Sequence, residues 1–360
     1  MLLITDRSRE KGNLRIVDDI HIGSFQLESG VILKDVTLRY ELIGRATAPV
    51  ILVCHALTGD HQSVGTEESP GWWRGLIGPG GYIDTEKYRI LTFNVLGGCN
   101  GSTGPLSINP ETNQLYQATF PFMTIRDMVH AQFQALQKMN INDLEAVIGG
   151  SLGGMQAMEW GLLYPDMIDK IMILAATPFL SDYGIAFNYI AESIIKNDLQ
   201  WNNGFYQKNT YLKGLEIARM VGMVTYRSHR LFMTRFQRQK ELTNTFSVNT
   251  YLRYKGETLA KRFDANSYVR LLQAMNHHDI GRNRGHWKKA CKNFKSSVLV
   301  VSYDKDLIYD PLLVKKFSEN IPYSIYKHVK TDYGHDGFLT EFDKWAPFIS
   351  EFLAYQKIHR

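Results

Sequence analysis

Six residues, Gly149-Gly150-Ser151-Leu152-Gly153-Gly154, restrict this chain more than any other stretch. They follow the apolar run Ala146-Val147-Ile148 and lead into Met155-Gln156-Ala157, where a helical pattern begins. A strand that turns sharply into a helix around a serine brings the two elements almost into contact. The residues two before and two after the serine, here Gly149 and Gly153, must then be small. The turn holds the serine in a strained backbone conformation with its hydroxyl in the open. G-x-S-x-G is a short pattern by itself. The strand before it and the helix after it make it a nucleophile elbow.

The rest of the chain supplies the sheet that such an elbow needs. Val50-Ile51-Leu52-Val53-Cys54, Arg89 to Val95, Ile171 to Ala175 and Ser296 to Tyr303 are continuous apolar runs, which suit strands covered on both faces. Ser324 to Val329 is the last strand, and residues 340–356 form a closing helix. Thr124 opens a helix with Asp127 as a shortened capping box, followed by Ile125, Met128, Val129, Phe133 and Leu136 at helical spacing. Strand and helix alternate, which predicts an α/β fold with a mostly parallel sheet. Residues 24–43 alternate apolar and polar around Glu28-Ser29-Gly30 and read as an antiparallel opening hairpin. Residues 1 to about 20 are charged and without periodicity, and read as a loose arm. Between 179 and 295 strand runs give way to amphipathic helical segments rich in Arg, Lys, Tyr, Phe and Met. The division is therefore a first core part, 1–178, a helical lid insertion, 179–295, and a second core part, 296–360.

Composition excludes more than it selects. With 44% hydrophobic and 21% charged residues, 360 residues can bury a full core. The net charge of +5 is spread along the chain rather than gathered, unlike a dedicated nucleic-acid protein. Cys54, Cys99 and Cys291 are few, odd in number and far apart, so neither a disulfide framework nor a zinc spacing is visible. The N-terminal apolar run is too short for a signal peptide, and no apolar stretch is long enough to span a bilayer. The expectation is a cytoplasmic protein.

A serine hydroxyl is a poor nucleophile at neutral pH and needs a base, which in turn needs an orienting acid. In α/β-hydrolases the chain order is Ser, then Asp or Glu, then His. The strand ending at Tyr303 delivers Asp304-Lys305-Asp306, and the final strand delivers Tyr333-Gly334-His335-Asp336-Gly337. His335 is the expected base; spacing does not choose between Asp304 and Asp306. The oxyanion hole is expected from the N–H of Leu152 and one from His55-Ala56-Leu57-Thr58-Gly59, namely Leu57. His55 reads as structural and Cys54 as core. His277-His278-Asp279 superficially suggests a metal site but lacks the i, i+4 spacing of a zinc helix, so a polar seam in the lid is expected. The glycine-rich loop Leu96 to Pro105 has neither a Gly-Lys-Ser/Thr ending nor a G-x-G-x-x-G register, and reads as a shaped structural loop.

With these residues placed, the chain resembles the homoserine O-acyltransferase family. The matching stretches are Cys54 to Asp60, Pro70-Gly71-Trp72-Trp73, Asn94 to Pro105, Phe122 to Asp127, the elbow through Glu159-Trp160, Arg262 to Tyr268 and Gly334-His335-Asp336. The resemblance implies an α/β-hydrolase core whose helical lid also makes a homodimer. It implies Ser151 as nucleophile and His335 as base, and favours Asp306 as the acid. It implies that Arg219, in Ala218-Arg219-Met220, binds the homoserine carboxylate, that Tyr226 lines the same pocket, and that Asp336 holds the amino group. Leu152 stands where methionine is usual, Asn276 where an acid is expected, and Leu307-Ile308-Tyr309-Asp310 is a variant form.

The activity implied is double displacement: acetyl-CoA, a co-substrate, acylates Ser151, and the γ-hydroxyl of L-homoserine takes the acetyl group, as a step of methionine biosynthesis. No metal or other cofactor, nucleic acid or membrane is expected. The rivals are a succinyl donor, serine as acceptor, an esterase or thioesterase on the same triad, and a hydrolase-fold binding protein without activity.

Overall fold

The structure, a computed structural model, describes residues 6–10 and 13–355. Its frame is a nine-stranded sheet of β1 (Asp6–Glu10), β2 (Asn13–Gln26), β3 (Ile32–Ile43), β4 (Val50–Cys54), β5 (Arg89–Phe93), β6 (Leu144–Gly150), β7 (Ile168–Leu174), β8 (Ser297–Tyr303) and β9 (Ser324–Val329). The order across the sheet is β1-β2-β3-β5-β4-β6-β7-β8-β9. From β5 to β9 every neighbouring pair is parallel, and β1, β2 and β3 add an antiparallel edge.

The parallel strands are apolar throughout because both faces are covered. Leu52, Val147, Ile171, Ile173, Val298 and Val300 enter one core cluster with Met155, Trp160 and the lid residue Tyr268. Ile51, Val53, Ile148, Met172, Leu299 and Val301 enter the other, with Trp73 and Trp345. The period of two along each strand sends neighbours to opposite cores.

The opening hairpin is as expected, with Gly30 at a left-handed φ of 86° in the turn. It is also longer. The loose arm expected over residues 1–20 is corrected for its described part: residues 13–20 lie in β2, and β1 pairs with β2. The charges that hid the strand are paired across it. Arg39 donates to both carboxylate oxygens of Asp19 (2.7 and 2.8 Å), and the buried Arg15 donates to the buried Glu41 (2.8 Å). Residues 1–5 and 11–12 of that arm lie outside the described residues.

The helices are α1 (Ile125–Lys138), α2 (Leu152–Leu163), α3 (Asp182–Lys196), α4 (Lys213–Thr225), α5 (His229–Phe236), α6 (Ser247–Ala260), α7 (Ala265–Asn276), α8 (Trp287–Cys291), α9 (Pro311–Glu319) and α10 (Phe342–Ala354). The capping box at Thr124 and Asp127 is present in full. Six of the helices, α3 to α8, fall between β7 and β8 in the chain. None of the described helices is long and apolar enough to cross a membrane.

The strand order fixes where a site can form. β5 follows β4 in the chain and sits on one side of it; β6 sits on the other. In an open parallel sheet the crevice at such a reversal, beyond the carboxyl ends of the strands, is where ligands bind. The pairing of Gly149 with Cys54 sets the elbow beside the loop that follows β4.

Candidate active site

Ser151 ends β6 and starts α2 with φ 58° and ψ −123°, a region costing roughly 1–3 kcal/mol for a residue with a side chain. The surroundings hold it there. Its N–H donates to the Leu174 carbonyl and its own carbonyl accepts from Met155 N–H, both at 3.0 Å. A Cβ on Gly149 would stand 2.1 Å from the Gly153 carbonyl oxygen, and one on Gly153 2.0 Å from that of Cys54. The two small residues are required by backbone, which cannot give way as a side chain could.

His335 reaches the serine from the loop after β9. Its Nε2 lies 3.0 Å from Ser151 Oγ and its Nδ1 2.9 Å from Asp306 Oδ2. A carboxylate only accepts, so Nδ1 carries the proton and Nε2 is free to take one from the serine. The other oxygen of Asp306 accepts from the N–H groups of Ile308 (2.9 Å) and Tyr309 (3.0 Å), so the acid is fully hydrogen-bonded and buried. The choice that spacing left open is thereby made. Asp304 is turned to solvent, with Lys305 and His328 at 3.9 Å. Between the two carboxylates Lys305 takes a left-handed φ of 60°, which rotates them apart.

The expected oxyanion donors stand at the same cleft. Among the described residues neither the N–H of Leu57 nor that of Leu152 has an acceptor, and Leu152 opens a helix, where N–H groups have no partner within the helix. His55 braces this loop instead of reacting: Nδ1–H donates to Ala56 O (2.7 Å) and Nε2 accepts from Val95 N–H (3.1 Å). Burial holds its pKa below the usual imidazole range, so it stays neutral. The loop Leu96 to Pro105 is structural as read: Gly97 N–H bonds Thr103 O, and Thr103 N–H bonds Thr37 O. Cys54 is buried in β4 and burial raises its thiol pKa.

The opposite wall is the lid. Ser151, His335, Leu57, Arg219, Tyr226 and Asp336 all line one cleft between lid and sheet. Arg219 on α4 lies over the Tyr226 ring, 5.6 Å from its centre, and has no carboxylate partner among the described residues. Tyr226 follows α4, with its ring 5.5 Å from that of His335. Asp336 joins the two walls: its N–H donates to Tyr226 O (3.0 Å), and its carboxylate accepts from Arg227 Nε (2.9 Å).

Three lining or bracing groups escaped the sequence reading. Arg227 stands next to Tyr226 and carries no local signal of its own. Tyr309 was noted only within a variant segment, yet its buried ring lies 5.1 Å from His335 at 32°. Arg262 reaches from the lid to the carbonyl of Thr58 (2.9 Å). Only the step of three from Asp306 to Tyr309, a turn closing on an acid, was a local signal.

The polar seam expected at His277-His278-Asp279 is present and reaches further. Arg126 on α1 donates to the carbonyls of Asp279 and Arg282 and to Glu159, which also takes Arg284, while Arg282 pairs with Glu28. Arg282 and Arg284 of the lid are thus bound to carboxylates of the core. His278 is buried with Nε2 unpartnered, and burial pushes its pKa down to about 3. Among the described residues no group of three or more His, Cys, Asp and Glu is placed to hold a metal ion.

Comparisons with known proteins bear on the fold and the family. The alpha/beta hydrolase fold family matches residues 49–342. A homoserine O-acetyltransferase of Carboxydothermus hydrogenoformans is 40% identical over 350 residues, covering 91% of this chain and 92% of that one. The crystal structure of homoserine O-acetyltransferase from Staphylococcus aureus superposes with a TM-score of 0.82 at 36% identity, covering 96% of this chain and 97% of that one. The crystal structure of esterase E22 superposes with a TM-score of 0.87 at 27% identity, covering 94% of this chain and all (100%) of that one. Similar to relatives of one name over nine-tenths of its length, and matched by the alpha/beta hydrolase fold family over most of it, the chain belongs to the homoserine O-acetyltransferase family of the α/β-hydrolase fold.

Proposed function

We propose that the protein transfers the acetyl group of acetyl-CoA to the γ-hydroxyl of L-homoserine through an acetyl-Ser151 intermediate. In the first half, His335 Nε2 takes the serine proton as Oγ attacks the thioester carbonyl. The N–H groups of Leu57 and Leu152 stabilise the oxyanion, and the thiolate leaves with the proton from His335. In the second, the homoserine hydroxyl gives its proton to His335 and attacks the acetyl-serine. Asp306 keeps the imidazole in the tautomer this needs. No oxidation state changes, so no redox cofactor is called for, and the developing charge falls on residues already named.

The observation that carries the choice of acceptor is Arg219, a guanidinium without a carboxylate partner lining the same cleft as Ser151. It suits the carboxylate of an amino acid, with Asp336 across the cleft for the amino group. Arg227 already holds Oδ2 of Asp336, which leaves Oδ1 for that group. The likeness to homoserine O-acetyltransferases supports the same reading.

The likeness to esterase E22 favours a second reading, hydrolysis on the same trio with water as acceptor. CoA release from acetyl-CoA, measured with and without L-homoserine, separates them. Homoserine should accelerate release and give the parallel initial-rate lines of a ping-pong reaction. Fast release that homoserine leaves unchanged would leave the esterase. Succinyl-CoA and L-serine in the same assay test the donor and acceptor.

The reading places the protein in the cytoplasm, in methionine biosynthesis. It also makes the lid the dimer face. Tyr183, Tyr189 and Ile190 on α3 and Ile217 and Val224 on α4 are exposed apolar residues that a second copy would cover. Sedimentation of the protein as a monomer at micromolar concentration would remove that part.

A further inference from the structure

Beside the catalytic serine stands a hydroxyl that the trio does not use. Tyr309 follows the acid by three residues, and its N–H is one of the two that hold Asp306 Oδ1. Its ring is 1% exposed and lies against His335, centre to centre 5.1 Å. Its hydroxyl is buried, lines the cleft and makes no hydrogen bond of full geometry among the described residues, with the Ser151 hydroxyl close enough to interact. Ser151 is the polar side chain within its reach, and burial keeps the phenol protonated, so it has a proton to donate. A buried donor left unpaired destabilises a fold unless something uses it.

We propose that the Tyr309 hydroxyl donates a hydrogen bond to Ser151 Oγ as that oxygen gains negative charge, on attack and again on departure. When Oγ bonds to the acyl carbon and the bond to the leaving group breaks, the serine proton passes through His335 to that group. When the acceptor oxygen bonds to the acyl carbon and the bond to Oγ breaks, the acceptor's proton passes through His335 to Oγ. Tyr309 keeps its own proton throughout. It steadies Oγ beside His335, and its full hydrogen bond forms as that charge builds.

This rests on Ser151 being the nucleophile, and not on the identity of donor or acceptor. The test therefore uses p-nitrophenyl acetate and a fluorophosphonate, with Y309F, Y309L and S151A beside the wild type. Y309F keeps the ring against His335 and removes only the hydroxyl. The expected result is a fall of about tenfold in kcat and in the phosphonate inactivation rate. KM should be unchanged, and the unfolding temperature equal or higher because an unpaired buried donor has gone. Y309L, which also loses the ring, should fall further. Y309F within twofold of wild type would overturn the inference, as would a lower unfolding temperature, which would mean the hydroxyl is already bonded at rest. Turnover by S151A would instead break the reading of the site itself.

Discussion

The two walls of the cleft are built differently. On the sheet side Ser151, Asp306 and His335 are buried, and the first two are held by backbone N–H and carbonyl groups at the ends of β6 and β8. On the lid side Arg219 and Arg227 act through long side chains from α4 and the turn after it, with aromatic rings and one carboxylate as neighbours. Backbone anchoring positions reacting atoms closely and tolerates little change. A side chain on a helix can be exchanged while the helix stays. On the proposed reading the chemistry belongs to the sheet wall, and Arg219 of the lid wall contributes to the choice of acceptor. Proteins named as acetyltransferases and as esterases can therefore share this fold.

The largest effect should come from the sheet wall. Ser151→Ala should lower acetyl transfer, read as CoA release, by about 10⁴-fold or more while the unfolding midpoint stays nearly unchanged. A tenth of wild-type activity remaining would dissolve the distinction between the walls. Next, Asp306→Asn should cost about 10³ to 10⁴ in kcat, because the imidazole loses the acceptor that fixes its tautomer. Asp304→Asn, at the solvent, should stay within about twofold, and the reverse ranking would show that the buried geometry misidentifies the acid.

Arg219→Ala sharpens the comparison from the other side. It should lower kcat/KM for homoserine by about 10²-fold, the worth of a hydrogen bond to a charged group. The burst of CoA release without acceptor should change by no more than about threefold. An equal loss in both would place Arg219 in the chemistry and not in the choice of acceptor.

The smallest effect concerns the seam that ties the walls together. His278, with a folded pKa of about 3, lies below the ordinary unfolded value of about 6.5. The unfolded chain therefore binds the proton first as pH falls, and the neutral folded form loses its advantage. Stability from this group is complete above pH 6.5 and declines below it, by up to about 1.4 kcal/mol per pH unit. Unfolding free energies from urea titrations at pH 7 and pH 5 should differ by about 2 kcal/mol more in the wild type than in His278→Gln. No difference would mean that the seam opens to water, and that lid and core are more loosely joined than they stand here.

Legibility followed distance along the chain. The elbow could be read because its constraint is carried by neighbours: Gly149 and Gly153 lie two residues either side of Ser151, and each bears on backbone. The capping box at Thr124, the hairpin turn at Gly30 and the apolar parallel strands were legible for the same reason. The arm at the N-terminus was not. Arg15 and Asp19 look like solvated charges until Glu41 and Arg39 are brought across from β3.

The sequence by itself determined that a serine would be presented between a strand and a helix, with a histidine after the last strand and an acid after the one before. Those requirements are steric and local, or follow from strand order. Spacing left open which carboxylate meets His335; the resemblance favoured Asp306, and the tertiary structure brings it there. Asp304 and Asp306 are two apart, and in a strand they would share a face; the left-handed backbone at Lys305 separates them. Only the tertiary structure brought Arg227 to Asp336, 109 residues away, and the Tyr309 ring to His335. A pairing of that kind depends on how lid and sheet pack, and no stretch of a few residues carries it.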